Sequence, residues 1–343
     1  MPETSIFIAS PLEAEQVARI RAAEPGMRVL YAPELLPRLR YIADHGGEPR
    51  SLTPAQTAAW REMLGEAEIS WGIPEVDDLP FATRLRWIQT TSTGVGPTIA
   101  RRGLDRTDVI VTTARGVHAG PLAEFTFMAL LAHFRGLARM QAEQRQHLWR
   151  LNCGEAIAGR TLLTIGAGDL ARGCAKLARA FGMRVIAVAR DPGKSRPHND
   201  LFDAVHPVAG LHAALGQADA VVVTLPGLPA TERMIDAAAI AAMRPGVALV
   251  NIGRGTVIDE AALIDGLRSG HIGYAALDVT LVEPLPPESV LWDMPNVLIS
   301  PHSASTVSTE NASIVDIFLH NLRCWREGRP HAMRNLLDMQ LLY

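Results

Sequence analysis

Arg254, Glu283 and His302 have the residue types needed to hold an anionic organic molecule and move a proton on it. A carboxylate beside a histidine favours the imidazolium form, which can hand a proton to a developing oxyanion near neutral pH. A guanidinium stays charged and offers a rigid fork that fits a carboxylate better than an ammonium does. Each of the three follows an apolar run that reads as a buried strand. The runs are Val250-Asn-Ile-Gly-Arg254-Gly255, Ala276-Leu-Asp278-Val-Thr-Leu-Val-Glu283-Pro284 and Asn296-Val-Leu-Ile-Ser-Pro301-His302. Ligands of open α/β sheets bind at the carboxyl ends of strands, so three such ends can converge on one cleft. Singly, each residue has a plain explanation: a structural ion pair, a solvated loop acid, a turn histidine. Their joint placement carries the functional reading.

A fourth motif precedes them. Thr161-Leu-Leu-Thr-Ile-Gly166-Ala-Gly168-Asp-Leu-Ala171 sets GxGxxA between a buried strand and a helix. Gly166 permits a tight turn, Gly168 lets the backbone approach a pyrophosphate on the helix N-terminus, and Ala171 keeps helix and strand close. The next strand ends at Ala189, where an acid would normally hold the ribose hydroxyls, and Arg190 follows. Arginine suits a 2′-phosphate, so NADP is expected ahead of NAD. The alternative is that Asp191 serves the ribose. Lys194 and Arg196 stand next in line for the phosphate.

These residues need a scaffold, and the pattern around them supplies one. Ser5–Ala9, Met27–Tyr31, Ile69–Gly72, Trp87–Thr90 and Val109–Thr112 read as strands separated by helical segments, which predicts a parallel sheet with crossover helices. No Gly-rich phosphate loop follows any of them. Gly120-Pro121 opens a helix expected to run to about Gln146, apolar nearly all round and so wedged between domains or subunits. Strands at Thr161–Ile165, Arg184–Ala189, Ala220–Leu225, Ala248–Ile252, Tyr274–Val279 and Val297–Ser300 carry little polar alternation, as strands buried on both faces should. A helical tail from Ser308 to about Glu327 could pack back on the first domain. The expectation is an α/β protein of two doubly wound parallel-sheet domains. Residues 119–302 form the dinucleotide-binding domain, and residues 1–118 with 303–343 form a discontinuous substrate-binding domain.

Composition narrows the partners. With 33 basic and 36 acidic residues the net charge is -3, so the chain lacks the basic excess of a general nucleic-acid or anionic-membrane binder. Only Lys176 and Lys194 are lysines, which reads as genomic composition. Cys153, Cys174 and Cys324 are odd in number and far apart, so neither bridges nor a metal cluster are expected, and a reducing compartment fits best. The start MPETSIFIAS has no signal-peptide pattern, and no apolar run approaches a membrane span. A soluble, cytoplasmic protein is expected.

Further segments sharpen the reading: TTSTGVG at 90–96, ARGVHAGPLAEF at 114–125, IGAGDLA at 165–171, TLPGLPATE at 224–232, VNIGRGTVIDE at 250–260, ALDVTLVEPLP at 276–286 and LWDMPNVLISPH at 291–302. With these the chain resembles the D-isomer-specific 2-hydroxyacid dehydrogenases, within them the glyoxylate/hydroxypyruvate reductase type, over nearly its whole length. The resemblance implies a Rossmann cofactor domain inserted in a flavodoxin-like substrate domain. It also implies hydride transfer between NAD(P)H and a small 2-oxo acid, giving the D-2-hydroxy acid. Arg254 matches the residue that binds the substrate carboxylate and carbonyl, His302 the acid/base and Glu283 its partner. Thr93 and Gly94 match a loop whose backbone amides contact the substrate, and Asp278 matches the residue that holds the nicotinamide carboxamide. Asp169, Leu170, Leu225, Pro226, Ile252 and Gly253 complete the expected cofactor turns. No metal is expected, and a homodimer is.

Departures matter as well. Gly96 stands where family members often carry Asp, and is expected to loosen the substrate loop. His118 is read as a turn residue, and the segment between Asp44 and Thr53 matches no motif. Two rival readings remain: a dinucleotide-sensing corepressor of the same fold, which would need disordered tails, and a formate dehydrogenase-like enzyme, which pairs its histidine with glutamine where this chain has Glu283.

Overall fold

The computed structural model describes residues 4–193 and 201–341. The chain divides into two compact units, Met1–Val117 with Thr306–Tyr343, and His118–Ser305.

In the first unit, short strands β1 (Ser5–Ile8), β2 (Arg28–Leu30), β3 (Ile69–Trp71), β4 (Trp87–Gln89) and β5 (Ile110–Thr112) form one parallel sheet. Its order, β2-β1-β3-β4-β5, is that of flavodoxin-like sheets. Ile6, Ile8, Ile69, Trp71 and Trp87 are fully buried, and Ile314 and Phe318 of the helix Glu310–Arg326 pack on them. Phe318 meets both tryptophans, with ring centroids 5.6 Å from Trp71 and 5.1 Å from Trp87. The C-terminal helix therefore belongs to this unit because it covers one face of its sheet.

The second unit holds seven strands: β6 (Thr161–Ile165), β7 (Arg184–Ala189), β8 (Ala204–Pro207), β9 (Ala220–Val223), β10 (Val247–Asn251), β11 (Ile272–Leu277) and β12 (Val297–Ile299). All pair in parallel, in the order β12-β11-β10-β9-β6-β7-β8. Successive side chains of one strand enter opposite layers. Leu163, Val221 and Leu249 belong to one core, and Leu162, Val222 and Val250 to the other. That two-sided burial is why these strands read as unbroken apolar runs. The order reverses between β6 and β9, the switch point where doubly wound folds bind ligands.

Two details differ from the sequence reading. The helix expected to reach Gln146 is two helices, Ala119–Phe134 and Leu137–Arg145, because Gly136 takes the left-handed conformation with φ 70°. In the single chain Met128 of the first helix is 52% exposed, and beyond the second helix Trp149 and Leu151 are 95% and 94% exposed. The edge strand β8 was not anticipated. Its four residues are short and partly polar, and pairing with β7 is reinforced by Asp203, whose carboxylate accepts the Val185 N–H at 2.7 Å. Among the described residues, no helix is long and apolar enough to cross a membrane.

Candidate active site

Five neighbouring strands of the second unit end on the same side of the sheet, and each delivers part of the predicted site. The turn after β6 carries Gly166 and Gly168, and Asp169 and Leu170 open the helix Asp169–Ala180. Leu225 and Pro226 follow β9, Ile252, Gly253 and Arg254 follow β10, Asp278 follows β11, and His302 follows β12. Thr93 and Gly94 belong to the first unit, exposed between β4 and the helix Gly96–Arg101. Gly96 does not loosen that loop. It is buried and starts the helix, with Pro97 behind it in the first turn. His118 caps the helix Ala119–Phe134 through its backbone.

The phosphate turn is built by sterics. Gly166 takes φ 114°, and a side chain there would run into the Thr224 hydroxyl. Around Gly168, by contrast, a Cβ would meet nothing within 4 Å. Among the described residues, no side-chain cap is seen on the helix that Gly168 precedes. An open approach to uncapped helical N–H groups is what a pyrophosphate needs, so these residues fit a dinucleotide. Arg190 is exposed at the end of β7, and Asp191 accepts the Gly193 N–H at 3.0 Å within its own turn. Lys194 and Arg196 lie outside the described residues. Beneath the turn, burial pushes the Cys174 thiol up to about 12, so this cysteine is a packing residue.

Glu283 and His302 are in contact. His302 Nδ1 lies 2.7 Å from Glu283 Oε2, and both side chains are partly open to solvent. With Nδ1 committed to a carboxylate, Nε2 is the nitrogen left to exchange a proton with a bound molecule. Two devices hold this pair that sequence reasoning missed. The other oxygen of Glu283, Oε1, accepts the Thr280 N–H at 3.2 Å, which fixes the carboxylate plane. His302 itself takes φ 52°, a left-handed conformation uncommon outside glycine. That backbone is stabilised because the His302 N–H donates to the carbonyls of Asp278 and Ser300, each at 2.9 Å.

Asp278 also anchors the loop. Its buried Oδ1 accepts from Ser300 Oγ at 2.8 Å and from the N–H groups of Ser303 and Ala304, both at 2.9 Å. Arg254 is held by a different device. Asn251, buried at the end of β10, accepts the Gly253 N–H at 3.1 Å and donates to the Arg254 carbonyl at 3.0 Å. Gly255 follows, and any Cβ there would collide with the backbone of Thr280. That glycine lets the arginine turn close against the segment leading to Glu283. Apolar runs followed by single polar residues gave no signal for these contacts, because some join neighbouring strand ends and the others depend on the backbone conformation of a turn.

Comparison with known proteins identifies the family. The profile "D-isomer specific 2-hydroxyacid dehydrogenase, NAD binding domain" matches residues 127–304. D-3-phosphoglycerate dehydrogenase of Mycobacterium leprae is 34% identical over 226 residues, covering 63% of this chain, and the match spans only 42% of that protein's length. Glyoxylate reductase of Aeropyrum pernix is 30% identical over 264 residues, 74% of this chain and 77% of the relative. Among solved structures, a D-isomer specific 2-hydroxyacid dehydrogenase from Xanthobacter autotrophicus Py2, in complex with NADPH and MES, superposes with a TM-score of 0.78 at 28% identity, over 99% of this chain and 100% of that one. The strand order, the phosphate turn and the matched profile lead to one conclusion: the chain belongs to the D-isomer specific 2-hydroxyacid dehydrogenase family.

Proposed function

We propose that the chain reduces small 2-oxo acids such as glyoxylate or hydroxypyruvate to D-2-hydroxy acids, with NADPH preferred over NADH. The observation that carries this reading is the 2.7 Å contact between His302 and Glu283, on the same sheet end as Arg254 and the dinucleotide turn. In this reading the unit His118–Ser305 binds the cofactor, and Met1–Val117 with Thr306–Tyr343 binds substrate. Gly166, Gly168, Asp169 and Leu170 would hold the pyrophosphate, Arg190 the 2′-phosphate, and Leu225, Pro226, Ile252, Gly253 and Asp278 the nicotinamide half. Reduced nicotinamide, when bound, supplies the hydride.

The protein's own residues supply the rest. Arg254 grips the substrate carboxylate through its fork and orients the carbonyl beside it. As negative charge builds on the carbonyl oxygen, His302 donates a proton from Nε2. Glu283, 2.7 Å from Nδ1, keeps the ring oriented with Nε2 toward the substrate. The backbone amides of Thr93 and Gly94 are the proposed substrate contacts of the first unit. The apolar side chains of Met128, Leu137, Met140, Trp149 and Leu151, exposed along one segment, support a homodimer. The test is oxidation of NADPH and NADH with a panel of 2-oxo acids, with formate and NAD as control. Turnover of 2-oxo acids alone is expected. Activity on formate, or none on any 2-oxo acid, would remove the proposal.

A further inference from the structure

The phosphate turn carries an anion of its own. Asp169 opens the helix Asp169–Ala180 directly after Gly168, the glycine over which a pyrophosphate would approach. A carboxylate in a first helical turn is favourable while that turn is empty, because it faces the positive end of the helix dipole. It becomes unfavourable when a second anion comes to the same N–H groups, since like charges at close range repel. The residue that would help to hold the dinucleotide through its backbone N–H therefore opposes it through its side chain.

Arg172 answers that charge. It follows Asp169 by three positions, so the two side chains share one face of the helix. One guanidinium nitrogen, Nη2, donates to Asp169 Oδ1, and the other, Nη1, donates to the Ala167 carbonyl at 3.4 Å. A single guanidinium thus touches the residue before Gly168 and the residue after it. The side chains of Asp169 and Arg172 are 37% and 29% exposed, so water screens the pair only in part.

We infer that Asp169 and Arg172 together set how tightly the dinucleotide is held: the Asp169 carboxylate opposes the pyrophosphate, and Arg172 cancels that carboxylate while bracing the turn. This rests on the dinucleotide reading of the turn and adds to it two side chains of opposite effect. It does not require a 2-oxo acid to be the substrate. A plain helix-stabilising ion pair would behave differently, because loss of either partner would then weaken binding or leave it unchanged.

The experiment titrates NADPH and NADH into wild type, Asp169→Asn, Arg172→Met and the double variant, following nicotinamide fluorescence. Adenosine 2′-monophosphate, which carries no pyrophosphate, is titrated by calorimetry as the control ligand. Asp169→Asn is expected to tighten NADPH about two- to fivefold, the scale of a partly screened charge. Arg172→Met should weaken it about tenfold, and adding Asp169→Asn to that variant should recover most of the loss. The gain from Asp169→Asn should shrink as salt rises from about 0.05 to 0.5 M, because screening removes the repulsion. Affinity for adenosine 2′-monophosphate should stay near wild type throughout. Asp169→Asn is nearly isosteric and carries the test by itself if Arg172→Met does not fold. Weaker NADPH binding in Asp169→Asn, or an equal gain for adenosine 2′-monophosphate, overturns the inference. If wild type binds NADPH or NADH and Asp169→Asn gains nothing, the inference fails and the dinucleotide reading stands. If wild type binds neither, both fall. A tightening in a protein that reduces no 2-oxo acid would keep the inference and remove the reductase reading.

Discussion

The two units carry sheets of the same kind, yet they use the carboxyl ends of their strands differently. In the second unit short turns follow the strands closely, and although Asp278 is buried and satisfied, Glu283 stays partly open, giving one oxygen to His302 and the other to a single backbone N–H. In the first unit a long loop leaves β2, and its one aspartate is consumed by structure. Asp44 is 1% exposed and accepts from Arg40 through the backbone and the side chain, at 2.7–3.1 Å, and from the N–H groups of Gly46 and Gly47. These contacts, the Arg40 guanidinium foremost, hold its carboxyl well below the usual carboxylate range. A carboxylate that is fully satisfied builds a loop. One that is shared with a half-exposed histidine is available for chemistry.

If the contrast holds, substitutions at the second sheet should cost rate, and substitutions in the loop should cost stability. The largest effect is expected at His302. In His302→Ala, turnover of 2-oxo acids should fall about 10²–10⁴-fold, while NADPH binding, followed by fluorescence titration, stays near wild type. A variant that keeps most of its turnover would break the comparison at its centre. Arg254→Lys comes next. Losing the fork should raise KM and lower kcat together, for a drop in kcat/KM of roughly ten- to a hundredfold. Full activity with lysine would mean that a point charge suffices.

Cofactor choice should respond on a similar or smaller scale. NADPH is expected to exceed NADH in kcat/KM by about ten- to a hundredfold, and Arg190→Ala should bring the two close together. Equal values in the wild type would remove the assignment, and a preference that survives Arg190→Ala would move it to another residue.

The smallest effect on rate, and the clearest on stability, belongs to Asp44. Asp44→Asn should lower unfolding free energy at pH 7 by roughly 1–3 kcal/mol, because buried donors lose a charged acceptor. The sign with pH follows from the lowered native value: the contribution is complete above about pH 4, the unfolded carboxylate range, and fades as pH falls below it. The gap between wild type and variant in denaturant unfolding should therefore narrow under acid. A gap that widens there would contradict the loop's construction.

Much of the fold was legible in the sequence for a local reason. β6 and β7 match their expected limits, Thr161–Ile165 and Arg184–Ala189, because strands buried on both faces cannot hide their composition. The two-sheet α/β class follows from the alternation of such runs with helices. The helix expected to pass Gly136 failed on a conformational choice that apolar content does not report, and β8 was missed because an edge strand needs little apolar burial.

The chemical residues divide along the same line. Residue types, order and strand-end position for Arg254, Glu283 and His302 are properties of the chain read in one dimension. The 2.7 Å contact between Glu283 and His302 is not, since it depends on β11 and β12 lying side by side and on the Thr280 N–H turning the carboxylate. Nor could the sequence reveal that Asp44 is spent on its own loop, or that Arg172 touches the residues on both sides of Gly168. Apolar periodicity and turn residues act over a few positions, so a sequence by itself determines elements and their ends. Which charges are satisfied depends on how a loop's backbone turns, as at Asp44, and on groups brought together from distant segments, as at His302, and only the tertiary structure decides either.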